Sequence, residues 1–164
     1  SSIAFSETIQ TRPAAHSRRA QVDMAARWLD TATRFSNTGG LMTGEELMRL
    51  MRQRWVANGL VHPSPDPVSM LARWVVAGSV LSIESPWGHL LPAFQFDPAT
   101  ATVYPAMRPL LQLLRPVFED NELALWFVTP NDWLGGARPV SAMHHSLPAV
   151  LQAARADRFV AGGH

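Results

Sequence analysis

Apolar residues recur every three to four positions through most of this chain, and clusters of glycine, proline, asparagine and serine interrupt the pattern. The first sixteen residues have no such periodicity and contain Arg12-Pro13, so they read as a mobile arm. From Ser17 to Phe35, Val22, Ala25, Ala26, Leu29 and Ala32 form an apolar stripe, with Arg18, Arg19, Asp23 and Arg27 available for the wet side of an amphipathic helix. Ser36-Asn37-Thr38-Gly39-Gly40 stops it. Thr43 and Glu46 then have the spacing of a capping box, which predicts a second helix with Leu47, Leu50 and Met51 inward. Asn58 to Asp66 holds Gly59, Pro63 and Pro65 and must be loop. Asp66 can cap a third helix whose first residue is Pro67, whose core face is Met70, Leu71, Trp74 and Val75, and which Gly78 ends.

Periodicity changes after Gly78. Val80 to Glu84 and Leu90 to Phe96 are short β-prone runs around Ser85-Pro86-Trp87-Gly88-His89, which predicts a β-hairpin with a five-residue turn. Pro92 suits an edge strand, and Asp97-Pro98 breaks the second run. Helical spacing returns at Pro105 to Phe118 with Met107, Leu110, Leu111 and Leu114, at Glu119 to Val128, and at Pro148 to Val160. The expected fold is mainly α: a helical bundle with a small β-hairpin. It divides into the arm (1–16), a helix-turn-helix-like region with the hairpin (17–104), and a helical C-terminal domain (105–164).

Composition narrows the function. With 164 residues, 47% of them hydrophobic and 16% charged, the chain has the material for a packed core. It has no cysteine, which removes disulfides, thiolate metal sites and a cysteine nucleophile and leans toward a reducing compartment. Neither membrane nor export is signalled, so a cytoplasmic protein is expected. A formal net charge of +1 means that any nucleic-acid contact must be local, and all fourteen basic residues are arginine.

Candidate chemistry is sparse. No phosphate-binding loop, dinucleotide fingerprint, nucleophile elbow or zinc-protease motif occurs. His144 and His145 are adjacent and point apart, which does not make a metal site. Glu45-Glu46 and Glu119-Asp120-Glu122 stand where helix starts favour negative charge. No enzyme, metal or cofactor is therefore expected. Arg49, Arg52 and Arg54 on the second helix read either as a solvated face complementing the helix dipole or as phosphate contacts. Trp87, at the predicted hairpin tip beside His89, is placed to meet a partner.

The segment Trp126-Phe127-Val128-Thr129-Pro130-Asn131-Asp132-Trp133-Leu134-Gly135-Gly136-Ala137-Arg138-Pro139 spells W-x3-P-N-x2-L-x4-P and is followed by Val150-Leu151, Ala154 and Phe159-Val160. It resembles the toxin-binding domain of the Xre/MbcA/ParS-like antitoxins of bacterial type II toxin–antitoxin modules, over roughly Pro105 to Gly162. Leu91-Pro92-Ala93-Phe94-Gln95-Phe96-Asp97 looks like the strand preceding that domain, and Thr43-Gly44-Glu45-Glu46-Leu47 like a helix opening in its helix-turn-helix region. The resemblance implies that the C-terminal domain and its short tail plug the active site of a cognate toxin, commonly an NAD-degrading enzyme of the RES type. Arg155, Arg158, Phe159 and Val160, at the exposed end of the last helix, are the expected toxin contacts. Trp126, Pro130, Asn131, Leu134 and Pro139 are expected to shape the fold. Autoregulation by operator binding would use Arg49, Arg52, Arg54, Ser69 and Arg73. One departure counts against it: the Gly59–Pro65 loop is longer than a helix-turn-helix turn, and Arg73 is the only basic residue of the third helix. Family and base rates favour a homodimer. A DNA-binding regulator without a toxin is the alternative, and an enzyme acting on a small molecule a distant third.

Overall fold

The computed structural model describes residues 13–59 and 66–162. The fold is mainly α with small antiparallel sheets. In chain order it runs α1 (Pro13–Thr33), β1 (Leu41–Met42), α2 (Gly44–Ala57), α3 (Pro67–Val76), β2 (Ile83–Ser85), β3 (Gly88–Pro92), β4 (Phe96–Asp97), β5 (Thr102–Val103), α4 (Met107–Leu114), α5 (Asp120–Val128), α6 (Pro139–Ala142) and α7 (Leu147–Ala161). The central part of the predicted 58–66 loop lies outside the described residues, as does most of the predicted arm. No helix among the described residues is long and apolar enough to cross a membrane.

Helix starts follow their predicted caps. The Thr43 hydroxyl accepts from the Glu46 N–H at 3.1 Å while the Glu46 carboxylate accepts from the Thr43 N–H, closing the capping box of α2. Asp66 accepts from the Ser69 N–H at 2.8 Å, and Pro67 opens α3. A second capping box opens α5. There Glu119 and Glu122 bond each other's backbone N–H, a more specific use of the acidic run than dipole complementarity.

Five expectations need correction. Helix α1 begins at Pro13, inside the predicted arm. Only part of its predicted stripe is packed: Ala25 and Ala32 are half-buried on the side of Trp28, the bulkiest apolar side chain of the helix, which packs against the core, and this leaves Val22 and Leu29 each 66% exposed. Val75 of α3 is likewise exposed, because Met70, Leu71 and Trp74 already fill the side turned to the core. The predicted five-residue turn is a two-residue one. Ser85 pairs with Gly88, and the Ser85 hydroxyl donates to the Gly88 carbonyl at 2.6 Å and accepts from the Trp87 N–H, which tightens the turn.

A fifth correction concerns Pro92. Strand β3 is central, in the order β1-β3-β2, so Pro92 is not on an edge strand. It pairs with Leu41 on one side. On the other, the register Ile83↔Leu90 extended by two residues would set Leu81 opposite Pro92, where proline has no N–H to give. Fully buried Gln95 takes over this rung. Its Oε1 accepts from the Leu81 N–H at 2.7 Å, and its Nε2 donates to the Leu81 and Pro92 carbonyls at 2.9 and 3.0 Å. Asp97-Pro98 ends its strand as expected and also opens a second hairpin. The Asp97 carbonyl accepts from the Ala101 N–H at 2.7 Å, and β4 pairs with β5.

Two cores result. The smaller joins Leu47, Met51 and Trp55 of α2 to Val80, Leu91 and Phe96. The larger is built on Met107, Leu110, Leu111 and Leu114 of α4, Leu123 and Phe127 of α5, and Val150 and Ala154 of α7. It also takes in Phe35, Leu81, Ile83 and Phe94 from the first half of the chain. A run of aromatic contacts crosses between the halves, Phe35 to Phe94 at 6.5 Å, Phe94 to Phe127 at 5.2 Å and Phe127 to Trp126 at 5.1 Å between centroids.

Candidate functional site

Helix α7 packs through Val150, Ala153 and Ala154, and the small alanines allow it to lie close against α4. Its last turns are held by a second device. The Asp157 carboxylate accepts from the Trp126 indole at 2.8 Å and the Asn131 amide at 2.9 Å through one oxygen, and from the Trp133 indole at 3.0 Å through the other. The W-x3-P-N segment is therefore a clamp on α7 as well as a turn. Asn131 is buried, and its Oδ1 accepts from the Trp133 N–H at 2.9 Å. Gly135 and Gly136 take positive φ of 65° and 89°, the left-handed conformation that glycine adopts without a steric cost. Pro139 is the buried first residue of α6.

With α7 fixed in this way, its opposite edge projects outward. Arg155, Arg158 and Phe159 line a groove of about 560 Å³ whose other wall is Leu113, Pro116 and Val117, at the end of α4 and just past it. All three are exposed. Among the described residues the one ion pair is Arg115 with Asp120, so neither guanidinium at the groove meets a carboxylate there. Val160 is exposed too but does not line the groove. The structure thus brings Arg155, Arg158 and Phe159 together and leaves Val160 apart.

The expected DNA contacts are less well gathered. Arg49 and Arg52 are three residues apart on α2 and share a side, whereas Arg54 lies two beyond Arg52 and points away from it. Ser69 and Arg73 are exposed on one side of α3, but the Ser69 backbone N–H is taken by the Asp66 cap. That bond, the Ser69 side chain and the nearby Arg52 charge hold the Asp66 carboxyl below the usual aspartate range. The rest of the outward surface of α3 is apolar, with Val68, Val75 and Val76 exposed. Trp87 is 72% exposed at the hairpin turn.

A further cavity, of about 370 Å³, lies where the N-terminal elements meet α6. Phe94, Phe96, Met42 and Leu50 are among its apolar lining, and Arg138, Ser141, His144 and Tyr104 are among its polar lining. The His144 ring stands edge-on to Tyr104 at 4.5 Å. Burial, with the charge of Asp97, raises the Tyr104 phenol above its ordinary value. No carboxylate lines the cavity. His145 contacts Ser146 instead, and no cluster of three or more metal-ligating side chains occurs among the described residues.

Sequence reasoning missed Gln95 and Asp157. Both act on partners distant in the chain, Asp157 on a tryptophan 31 residues away. The available signal was a cluster of side-chain N–H donors, Trp126, Asn131 and Trp133, in one short segment. No family model, curated protein or solved structure matches the chain.

Proposed function

We propose that this chain is a non-catalytic binding protein, the antitoxin of a type II toxin–antitoxin module, which neutralises its cognate toxin by presenting the end of α7 to the toxin's active-site cleft. The observation that supports this reading is the exposed edge of Arg155, Arg158 and Phe159, set on a helix that α4 and the Asp157 clamp hold in place. Arginine is among the residue types that dominate binding energy at protein interfaces, and phenylalanine is enriched there. A rigid base lowers the entropy lost on docking. The motif resemblance directs the choice of partner to an NAD-degrading toxin of the RES type.

The test is co-expression with the toxin-like product of the adjacent gene. The wild-type chain should restore growth. The variant R155E/R158E, which reverses charge on an exposed edge, should lose protection while its far-UV circular dichroism stays unchanged. Full protection by that variant, or none by the wild type, would remove the proposal.

Operator binding is a second reading, carried by the shared side of Arg49 and Arg52 on α2. It predicts that affinity for the protein's own promoter exceeds that for random duplex and falls steeply with salt. Equal affinity for both duplexes would sink it.

A further inference from the structure

We infer that the exposed apolar side of α1 is a self-association surface, on which a second copy of the chain packs its own α1 in antiparallel orientation. The inference stands apart from the toxin reading. No other element among the described residues forms a broad face against α1, which meets the body chiefly through Trp28 and, just past its end, through the Arg34 guanidinium bonded to Thr129 at 3.0 Å. A helix of 21 residues draws most of its stability in water from packing of an apolar face. Here the unpacked face carries Val22 and Leu29, seven residues and thus close to two turns apart, both exposed.

The occupant is identified by charge. Arg19 and Asp30 are eleven residues apart, close to three turns, and so lie on the same side of the Val22/Leu29 stripe. In an antiparallel pair, each flank of the stripe meets its own copy. When Val22 faces the partner's Leu29, Arg19 and the partner's Asp30 differ in level by only ~3 Å along the axis, within reach of an arginine side chain. The two-fold symmetry makes the contact twice. Neither residue has an ion-pair partner among the described residues. A parallel pair would instead set this flank against the opposite one, which carries Ala25 and Ala32, and the Arg19–Asp30 contact would be lost.

Sedimentation equilibrium of the full chain tests this. The wild type should be a dimer at micromolar concentration, and V22D/L29D a monomer with an unchanged circular dichroism spectrum. R19D alone and D30R alone should each weaken the dimer about tenfold, since two attractive contacts become repulsive. R19D/D30R should regain it. Mixing the two single variants should give heterodimers in preference to either homodimer, because the charges then complement across the pair. A monomeric wild type, whose stripe is then covered by residues 1–12 of its own chain or left bare, would overturn the inference. So would a dimer that survives V22D/L29D, or single variants that mix without preference.

Discussion

Gln95 and Asp157 each do at a distance what backbone usually does locally. Gln95 inserts its amide between Leu81 and Pro92, supplying the N–H that proline lacks. Replacing it by leucine keeps the volume but leaves the Leu81 N–H and two carbonyls buried without partners. Each such group costs about 1–3 kcal/mol, and Q95L should lose about 3 kcal/mol in urea denaturation. A loss below about 1 kcal/mol would mean that the rung contributes little. The Asp157 carboxylate takes three N–H donors, and an asparagine has one oxygen with which to accept them. D157N should destabilise the protein by about 2 kcal/mol and alter the fluorescence of Trp126 and Trp133 before global unfolding. Unchanged emission from both indoles would count against the clamp. Neither residue was legible in the sequence, because a buried amide and a lone helical acid are recognised only through partners that the fold brings to them.

At the scale of elements, legibility followed the range of the determining contacts. The Thr43–Glu46 box and the Asp66-Pro67 start are made within four residues, and the helices begin where those residues dictate. The sheets were harder to place. Strands β1, β4 and β5 are two residues each, too short for an alternation to show, and the hairpin was tightened by a Ser85 hydroxyl that a propensity reading does not weigh. The α3 cap carries a pH prediction whose sign follows from Asp66. The Ser69 backbone N–H first, then the Ser69 side chain, and more weakly the Arg52 charge, lower its carboxyl in the folded state. The folded chain therefore holds its proton less readily than the unfolded one. The cap's contribution is complete above the ordinary aspartate pKa and disappears as pH falls through the lowered folded value. D66N keeps an acceptor for the Ser69 N–H but does not titrate. The difference in stability between wild type and D66N should thus shrink on acidification through that window and stay constant above it. A difference independent of pH would show that the cap's charge does not matter.

At the scale of the molecule, the sequence reading placed a boundary near residue 105, and the larger core takes residues from both sides of it. Phe35, Leu81, Ile83 and Phe94 pack with α4, α5 and α7, and Phe94 lies between Phe35 and Phe127 in the aromatic run. Polar contacts cross the same boundary. The Arg115 guanidinium donates to the Val80 carbonyl at 2.8 Å and the Gly78 carbonyl at 3.3 Å while pairing with Asp120 at 2.8 Å. Motif spacing locates a segment but does not say which hydrophobic side chains elsewhere complete its core, so this dependence was illegible. Its consequence is specific. A fragment spanning residues 105–162 keeps the Asp157 clamp and the α4–α7 pairing but loses two buried phenylalanines, a leucine and an isoleucine from its core. Large-to-small losses at single core sites already cost about 2–5 kcal/mol, against a typical domain stability of about 5–15 kcal/mol. The fragment should retain helical circular dichroism, bind a hydrophobic dye and melt without a cooperative transition, as a compact state without fixed packing does. Adding residues 17–104 in the same chain should restore a sharp transition. If 105–162 alone melted cooperatively with dispersed methyl resonances, the C-terminal region would be an independent domain and the first-half residues in its core dispensable.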